Sequence, residues 1–148
     1  MNTFTQILYQ IVFATKNHEK NLIDQNRKAL FQYIFGILNE KKCHLYRIGG
    51  VRDHIHIVTH VHPTVALSDL VRDIKVASSG FIKDQHLFPN FSGWQDGYGG
   101  FTYSIEAKDN LIEYVKNQEE HHRKRTFKEE LIALLKEHGI PYDEKYLL

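Results

Sequence analysis

An α+β domain built on one antiparallel sheet is the architecture this sequence predicts. Three observations carry that expectation. Short runs rich in β-branched and aromatic residues alternate with longer stretches of helical periodicity, in the order strand, helix, strand, strand, helix, strand. A glycine pair, Gly49-Gly50, separates the two central strand-like runs. Turn chemistry concentrates in a single stretch before the last strand, with Pro89, Asn90, Gly93, Gly97, Gly99 and Gly100. A chain of 148 residues suits a single domain with a sizeable core, so residues 1–148 are read as one domain without repeats or linkers.

Each element has its own signal. Phe4 to Thr15 is β-branched and aromatic and reads as a strand. From Gln25 to Lys42, Ala29, Leu30, Tyr33, Ile34, Ile37 and Leu38 recur at helical spacing. Cys43 to Ile48 and Val51 to Val61 read as a hairpin turning at the glycine pair. Val65 to Phe81 carries Leu67, Leu70, Val71, Ile74 and Val76 and predicts an amphipathic helix. Phe101 to Ile105 alternates as a last strand, and Lys108 to His122 and Phe127 to His138 read as two appended helices. Gly139, with Pro141 beyond it, stops the second of them. The order β-α-β-β-α-β is that of a ferredoxin-like (RRM-like) sandwich, with two helices on one sheet face and the other face left for a ligand or the appended helices.

Composition narrows the function classes. With 42% hydrophobic and 25% charged residues, the chain is neither fibrous nor disordered. A net charge of +1 excludes a polycation, so any nucleic-acid binding must use a local patch. The one cysteine, Cys43, excludes an intramolecular disulfide and a cysteine zinc cluster and fits a reducing, cytoplasmic setting. The densest early apolar stretch, Ile7 to Ala14, is interrupted by Gln10 and falls far short of the roughly 20 residues of a membrane span. Between residues 41 and 83, seven cations (Lys41, Lys42, Arg47, Arg52, Arg72, Lys75 and Lys83) face three carboxylates, and Arg123-Lys124-Arg125 forms a second basic cluster.

The run Asp53-His54-Ile55-His56-Ile57-Val58-Thr59-His60-Val61-His62 is the most informative stretch. Strand side chains alternate faces, so Ile55, Ile57, Thr59 and Val61 point to the core, and His54, His56, His60 and His62 to the opposite face. Two imidazoles at i and i+2 on a rigid strand offer converging lone pairs to a divalent ion; the competing reading is a half-exposed strand that favours histidine. His60 and His62 lie beside Pro63 and read as the strand's exposed end. A histidine-triad hydrolase would need a histidine at Val58, and the His-x-Thr pattern of two-histidine phosphoesterases is absent. In the Lys108–His122 helix, Tyr114 and Gln118 share a face, with His121 close to it.

These residues carry a resemblance. His54-Ile55-His56 resembles the HUH motif (His, hydrophobic, His), and Tyr114-Val115-Lys116-Asn117-Gln118-Glu119-Glu120-His121-His122 resembles the catalytic helix of single-tyrosine HUH transposases of the IS200 type. Trp94-Gln95-Asp96-Gly97-Tyr98-Gly99-Gly100-Phe101 resembles the loop before that family's last strand, and Thr15-Lys16 the end of its first. The resemblance implies a DNA transposase in which Tyr114 attacks single-stranded DNA and forms a 5′-phosphotyrosine link. It further implies one Mg²⁺ or Mn²⁺ held by His54, His56 and the amide oxygen of Gln118. Asp53 and His121, adjoining these ligands, are candidates to orient them. A homodimer with active sites shared between subunits is also implied, as is recognition of a subterminal DNA hairpin. For the hairpin the candidate residues are Arg47, Arg52, Arg72, Lys75, Arg123, Lys124 and Arg125. Two other readings stay open: a non-catalytic or domesticated hairpin-binding module of the same fold, and a metal-dependent hydrolase of small phosphoesters that needs no tyrosine.

Overall fold

The computed structural model describes residues 2–147. These form strands β1 (Leu8–Ala14), β2 (Leu45–Gly50), β3 (His54–His60) and β4 (Gly99–Tyr103), joined in one antiparallel sheet of order β2-β3-β1-β4. Helices α1 (Asp24–Glu40) and α2 (Leu67–Asp84) make the two crossovers of the expected ferredoxin-like sandwich. Helices α3 (Lys108–Lys116), α4 (Gln118–His122) and α5 (Phe127–Glu137) follow the last strand. Among the described residues no helix is long and apolar enough to cross a membrane.

The period of two along the strands divides the interior into two layers. Ile11 and Phe13 of β1 and Ile55 and Ile57 of β3 face α1 and α2, where they meet Leu30, Ile34, Leu38, Leu70, Ile74 and Ile82. On the other face, Val12 and Ala14 pack with Phe101, Phe127, Leu131 and Leu134, while Leu8 and Val58 pack with Leu111 and Val115. The second face is therefore a covered core. A purely apolar lining there would need nothing more; here it also contains Gln10, His54 and His56, all buried.

Some elements differ from their sequence reading. Gly49 and Gly50 do not form the turn: both lie in β2, and the chain reverses over Val51–Asp53, where the Val51 amide donates to the His54 carbonyl at 3.1 Å. The glycines serve close approach instead, since a Cβ on Gly49 would stand 2.6 Å from the Val115 carbonyl oxygen of α3. Val76 is 71% exposed, because it lies two residues, about 200°, around α2 from the buried Ile74. The single appended helix expected over Lys108–His122 breaks at Asn117 (φ −98°, ψ 24°) into α3 and α4. Helix α5 starts on a capping box, with the Thr126 hydroxyl accepting from the Glu129 amide and the Glu129 carboxylate accepting from the Thr126 amide.

Ile57→Ala should cost about 2–5 kcal/mol in urea denaturation, as a deletion in a closed core does. Val76→Asp should change stability by no more than about 0.5 kcal/mol. Equal costs at the two positions would contradict this layering.

Candidate active site

Strand β3 delivers His54 and His56 to the covered face, both wholly buried. Each ring is fixed from behind by a hydrogen bond at Nδ1. His54 Nδ1 lies 2.7 Å from Asp53 Oδ1, and His56 Nδ1 lies 2.7 Å from the side-chain oxygen of Gln10. Gln10 in turn donates to the Tyr103 hydroxyl at 2.9 Å. A ring with its only proton on Nδ1 would turn the Nε2 lone pair to one point between β3 and the appended helices, as a metal ligand must, whereas a hydrogen bond to the Glu130 carboxylate requires a proton on Nε2.

The appended helices fill that point. Gln118 Oε1 lies 3.2 Å from His54 Nε2. The Glu130 carboxylate of α5, also wholly buried, approaches His56 Nε2 at 2.9 Å, His122 Nε2 at 3.1 Å and His54 Nε2 at 3.2 Å through Oε1. Its other oxygen accepts from the Tyr114 hydroxyl and, at 3.2 Å, from the Gln118 amide. The Tyr114 hydroxyl also accepts from Arg125 Nη2 at 2.8 Å. One ligand atom each from His54, His56, His122 and Glu130 lies within 4.8 Å of the others. This set of imidazoles and a carboxylate, with the Gln118 amide oxygen beside it, fits a borderline divalent ion such as Mn²⁺ at least as well as the harder Mg²⁺.

Burial and pairing set the protonation of the centre. Burial alone would raise the Glu130 pKa, but hydrogen bonds with His122, His54 and His56 outweigh it and hold the carboxyl well below its ordinary range. Burial pulls His54 down, yet Asp53 and Glu130 raise its pKa above the usual histidine value. For His56 burial wins over Glu130 and the pKa is lowered. Burial, reinforced by Glu130 and only partly opposed by Arg125, pushes the Tyr114 phenol well above its ordinary value. Without a bound cation and substrate, Tyr114 is thus held in its protonated form.

The other sequence candidates divide into two groups. Arg52, Arg123, Lys124 and Arg125 line one cleft of about 540 Å³ with Lys20 and Arg27, and the carboxylates Asp24, Asp53, Glu119 and Glu129 line it too, leaving a modest cationic excess beside His122 and Phe127. Arg47 lies exposed on β2, outside that cleft. Arg72 pairs at 3.3 Å with Asp69 and Asp73 on α2. Lys75 donates to the carbonyls of Gln95 and Gly97 at 2.8 and 2.6 Å and so pins the loop before β4. His121 does not reach the donor cluster; it stacks on the Tyr114 ring at 4.6 Å, and its neighbour His122 takes the inward position. His60 accepts from the Ile7 amide and His62 bonds Thr64, both apart from the centre. Trp94 donates to Ser78 and packs edge-on against Phe13, as a loop anchor.

Sequence reasoning missed Gln10, His122 and Glu130, although each left a trace. Gln10 is the one polar interruption of the apolar run Ile7 to Ala14. His122 continues the four-residue spacing of Tyr114 and Gln118. Glu130 sits in the helical stripe Phe127, Leu131 and Leu134, where a carboxylate needs a buried partner.

The depressed Glu130 pKa predicts a pH signature for the metal-free protein. A carboxyl whose pKa falls on folding stabilises above its unfolded value, near 4.5, and loses that contribution as pH drops below it. Glu130→Gln should therefore lower stability at pH 7, and the gap to wild type should shrink as urea titrations move to pH 4 and below. A gap independent of pH would contradict the ionised, histidine-paired carboxylate.

A crystal structure from Deinococcus radiodurans R1, provisionally assigned as a transposase, has a TM-score of 0.62 and 24% identity, covering 80% of this chain and 95% of that one. A REP-associated tyrosine transposase bound to a REP hairpin has a TM-score of 0.57 and 13% identity, covering 79% of this chain and 69% of that one. Both likenesses show the shared fold. No curated protein sequence matches the chain. The family model described as "Transposase IS200 like" matches residues 3–118, most of the 148-residue chain and all of β1 to α3, and the chain belongs to that family of transposases.

Proposed function

We propose that this single domain is a DNA transposase that cuts and rejoins single-stranded DNA through a covalent tyrosine intermediate. The observation that carries the reading is that Tyr114 and the buried pair His54 and His56 bond one and the same carboxylate, which brings a nucleophile and a metal-type donor set to one point. In the reaction, the Tyr114 oxygen attacks the scissile phosphorus, the bond from phosphorus to the 3′-oxygen breaks, and the proton lost by the phenol ends on the free 3′-hydroxyl. The 5′-phosphotyrosine keeps the phosphoester for rejoining. His54, His56 and Gln118 would hold Mg²⁺ or Mn²⁺, which polarises the phosphate when bound. Asp53 and Gln10 orient the two imidazoles. Arg125 draws electron density from the Tyr114 oxygen and favours the phenolate that must form and later leave.

The same reading gives the partner. The fold shared with a hairpin-bound tyrosine transposase and the cleft of Arg52, Arg123, Lys124 and Arg125 support a single-stranded DNA substrate with a subterminal hairpin, and the lone Cys43 is in keeping with a cytoplasmic setting. A homodimer sharing active sites between subunits is part of the proposal. Here Tyr114 meets the histidines of its own chain, so an exchange would require α3 to α5 to leave this seat as a unit. The alternative, a non-catalytic hairpin-binding module, is favoured by one observation: the buried Glu130 closes the site.

Oligonucleotides from both flanks of the gene, on both strands, separate the two readings. With Mn²⁺, wild type should give a protein–DNA band that survives a denaturing gel and is abolished by chelator. Tyr114→Phe should reduce it by about 10³-fold or more while hairpin binding persists. Cleavage that survives in Tyr114→Phe, or hairpin binding without any covalent band, would contradict the proposal.

A further inference from the structure

The centre already contains an anion with two oxygens. Glu130 is wholly buried, and its two oxygens have different neighbours. Oε1 meets the Nε2 atoms of His56, His122 and His54 at 2.9, 3.1 and 3.2 Å. Oε2 accepts from Tyr114 and Gln118 and lies 4.0 Å from Arg125 Nη2. The groups assigned to nucleophilic attack and to metal binding are therefore turned toward this one carboxylate. A phosphodiester likewise presents two non-bridging oxygens on one central atom and carries one negative charge. Arg125 belongs to both sides of the problem: it lines the basic cleft and it donates to the Tyr114 hydroxyl. Both Arg125 and Glu130 lie beyond residue 118, where the family match ends.

Resting on the transposase reading, we propose that the Glu130 carboxylate occupies the seat of the scissile phosphate and that Arg125 is the clamp for that phosphate. DNA entering from the basic cleft displaces the carboxylate, and α5 tilts to release it. Only then does Tyr114 face phosphorus in place of carbon. A guanidinium suits this role because its planar fork can hold a phosphate oxygen with one N–H while keeping another on the phenolic oxygen. A catalytic metal site also needs a position open to substrate, and with Glu130 seated that position is filled.

The full chain, titrated with inorganic phosphate in the presence of chelator, tests the seat. Wild type should bind phosphate weakly. Glu130→Ala and the shape-preserving Glu130→Gln should bind it about tenfold tighter or more, because a like charge leaves the seat. The gain should vanish in Glu130→Gln combined with Arg125→Gln. If Glu130→Ala does not fold, Glu130→Gln carries the result. Equal phosphate affinity in wild type and variants, or a gain that persists without Arg125, would each overturn the proposal. The titration requires no DNA cleavage. A phosphate gain without a covalent DNA band would sink the transposase reading, and a covalent band without a phosphate gain would sink this seat alone.

Discussion

Two imidazoles buried in the middle of a β-sheet impose the constraint on which the rest of this structure depends. Each ring has two nitrogens, and a buried nitrogen without a partner is costly. Every one of the four is answered: Asp53 and Gln10 from behind, Glu130 and Gln118 from the front. The front partners come only from the helices after β4, so the same packing that covers the second sheet face also completes the centre. Val12, Ala14, Val58 and Leu8 provide the apolar floor on which α3 and α5 rest, and the polar centre lies between these two patches. Fold and site are thus one structure on this face, whereas the sheet residues Ile11, Phe13, Ile55 and Ile57 meet α1 and α2 in an apolar cluster.

The coupling has a chemical consequence. A carboxylate held ionised by three histidines keeps those rings oriented and Tyr114 protonated. Such a centre is internally satisfied and unreactive until something competes for the carboxylate's position. Under the proposed function the competitor is the substrate phosphate, and the cleft beside His122 is its proposed approach. Keeping the nucleophile quiet in the absence of DNA suits a protein whose reaction breaks DNA strands.

Much of the fold was legible because periodicity reports burial directly. The alternation along His54 to His60 separates Ile55 and Ile57 from His54 and His56 without further information, and Leu30, Ile34 and Leu38 mark the inner stripe of α1. Legibility failed where a residue's identity and its angular position disagreed. Val76 is apolar but lies on the solvent side of α2. Gly49 is a turn-former by composition but is a strand residue that lets α3 approach. Within the site, spacing placed His54 and His56 on one strand face and Tyr114 and Gln118 on one helix face, and the family resemblance supplied the roles expected of them. His122 keeps the inward face of Tyr114 and Gln118 across the break at Asn117, while His121 lies against the Tyr114 ring. Glu130 escaped because an acid on a helix reads by default as solvated, and only the tertiary arrangement supplies the three histidines that make its burial tolerable.

The central claim, that Tyr114 at this histidine centre forms the covalent bond to DNA, is tested most directly by locating the adduct. After reaction with flanking single-stranded DNA, nuclease and trypsin digestion leaves residual nucleotide on a peptide that mass spectrometry can read. Tyr114 is the sole tyrosine of the tryptic peptide Asp109–Lys116. The account predicts the nucleotide mass on that peptide and nowhere else. A nucleotide on another peptide, or cut DNA with no nucleotide on any, would contradict it.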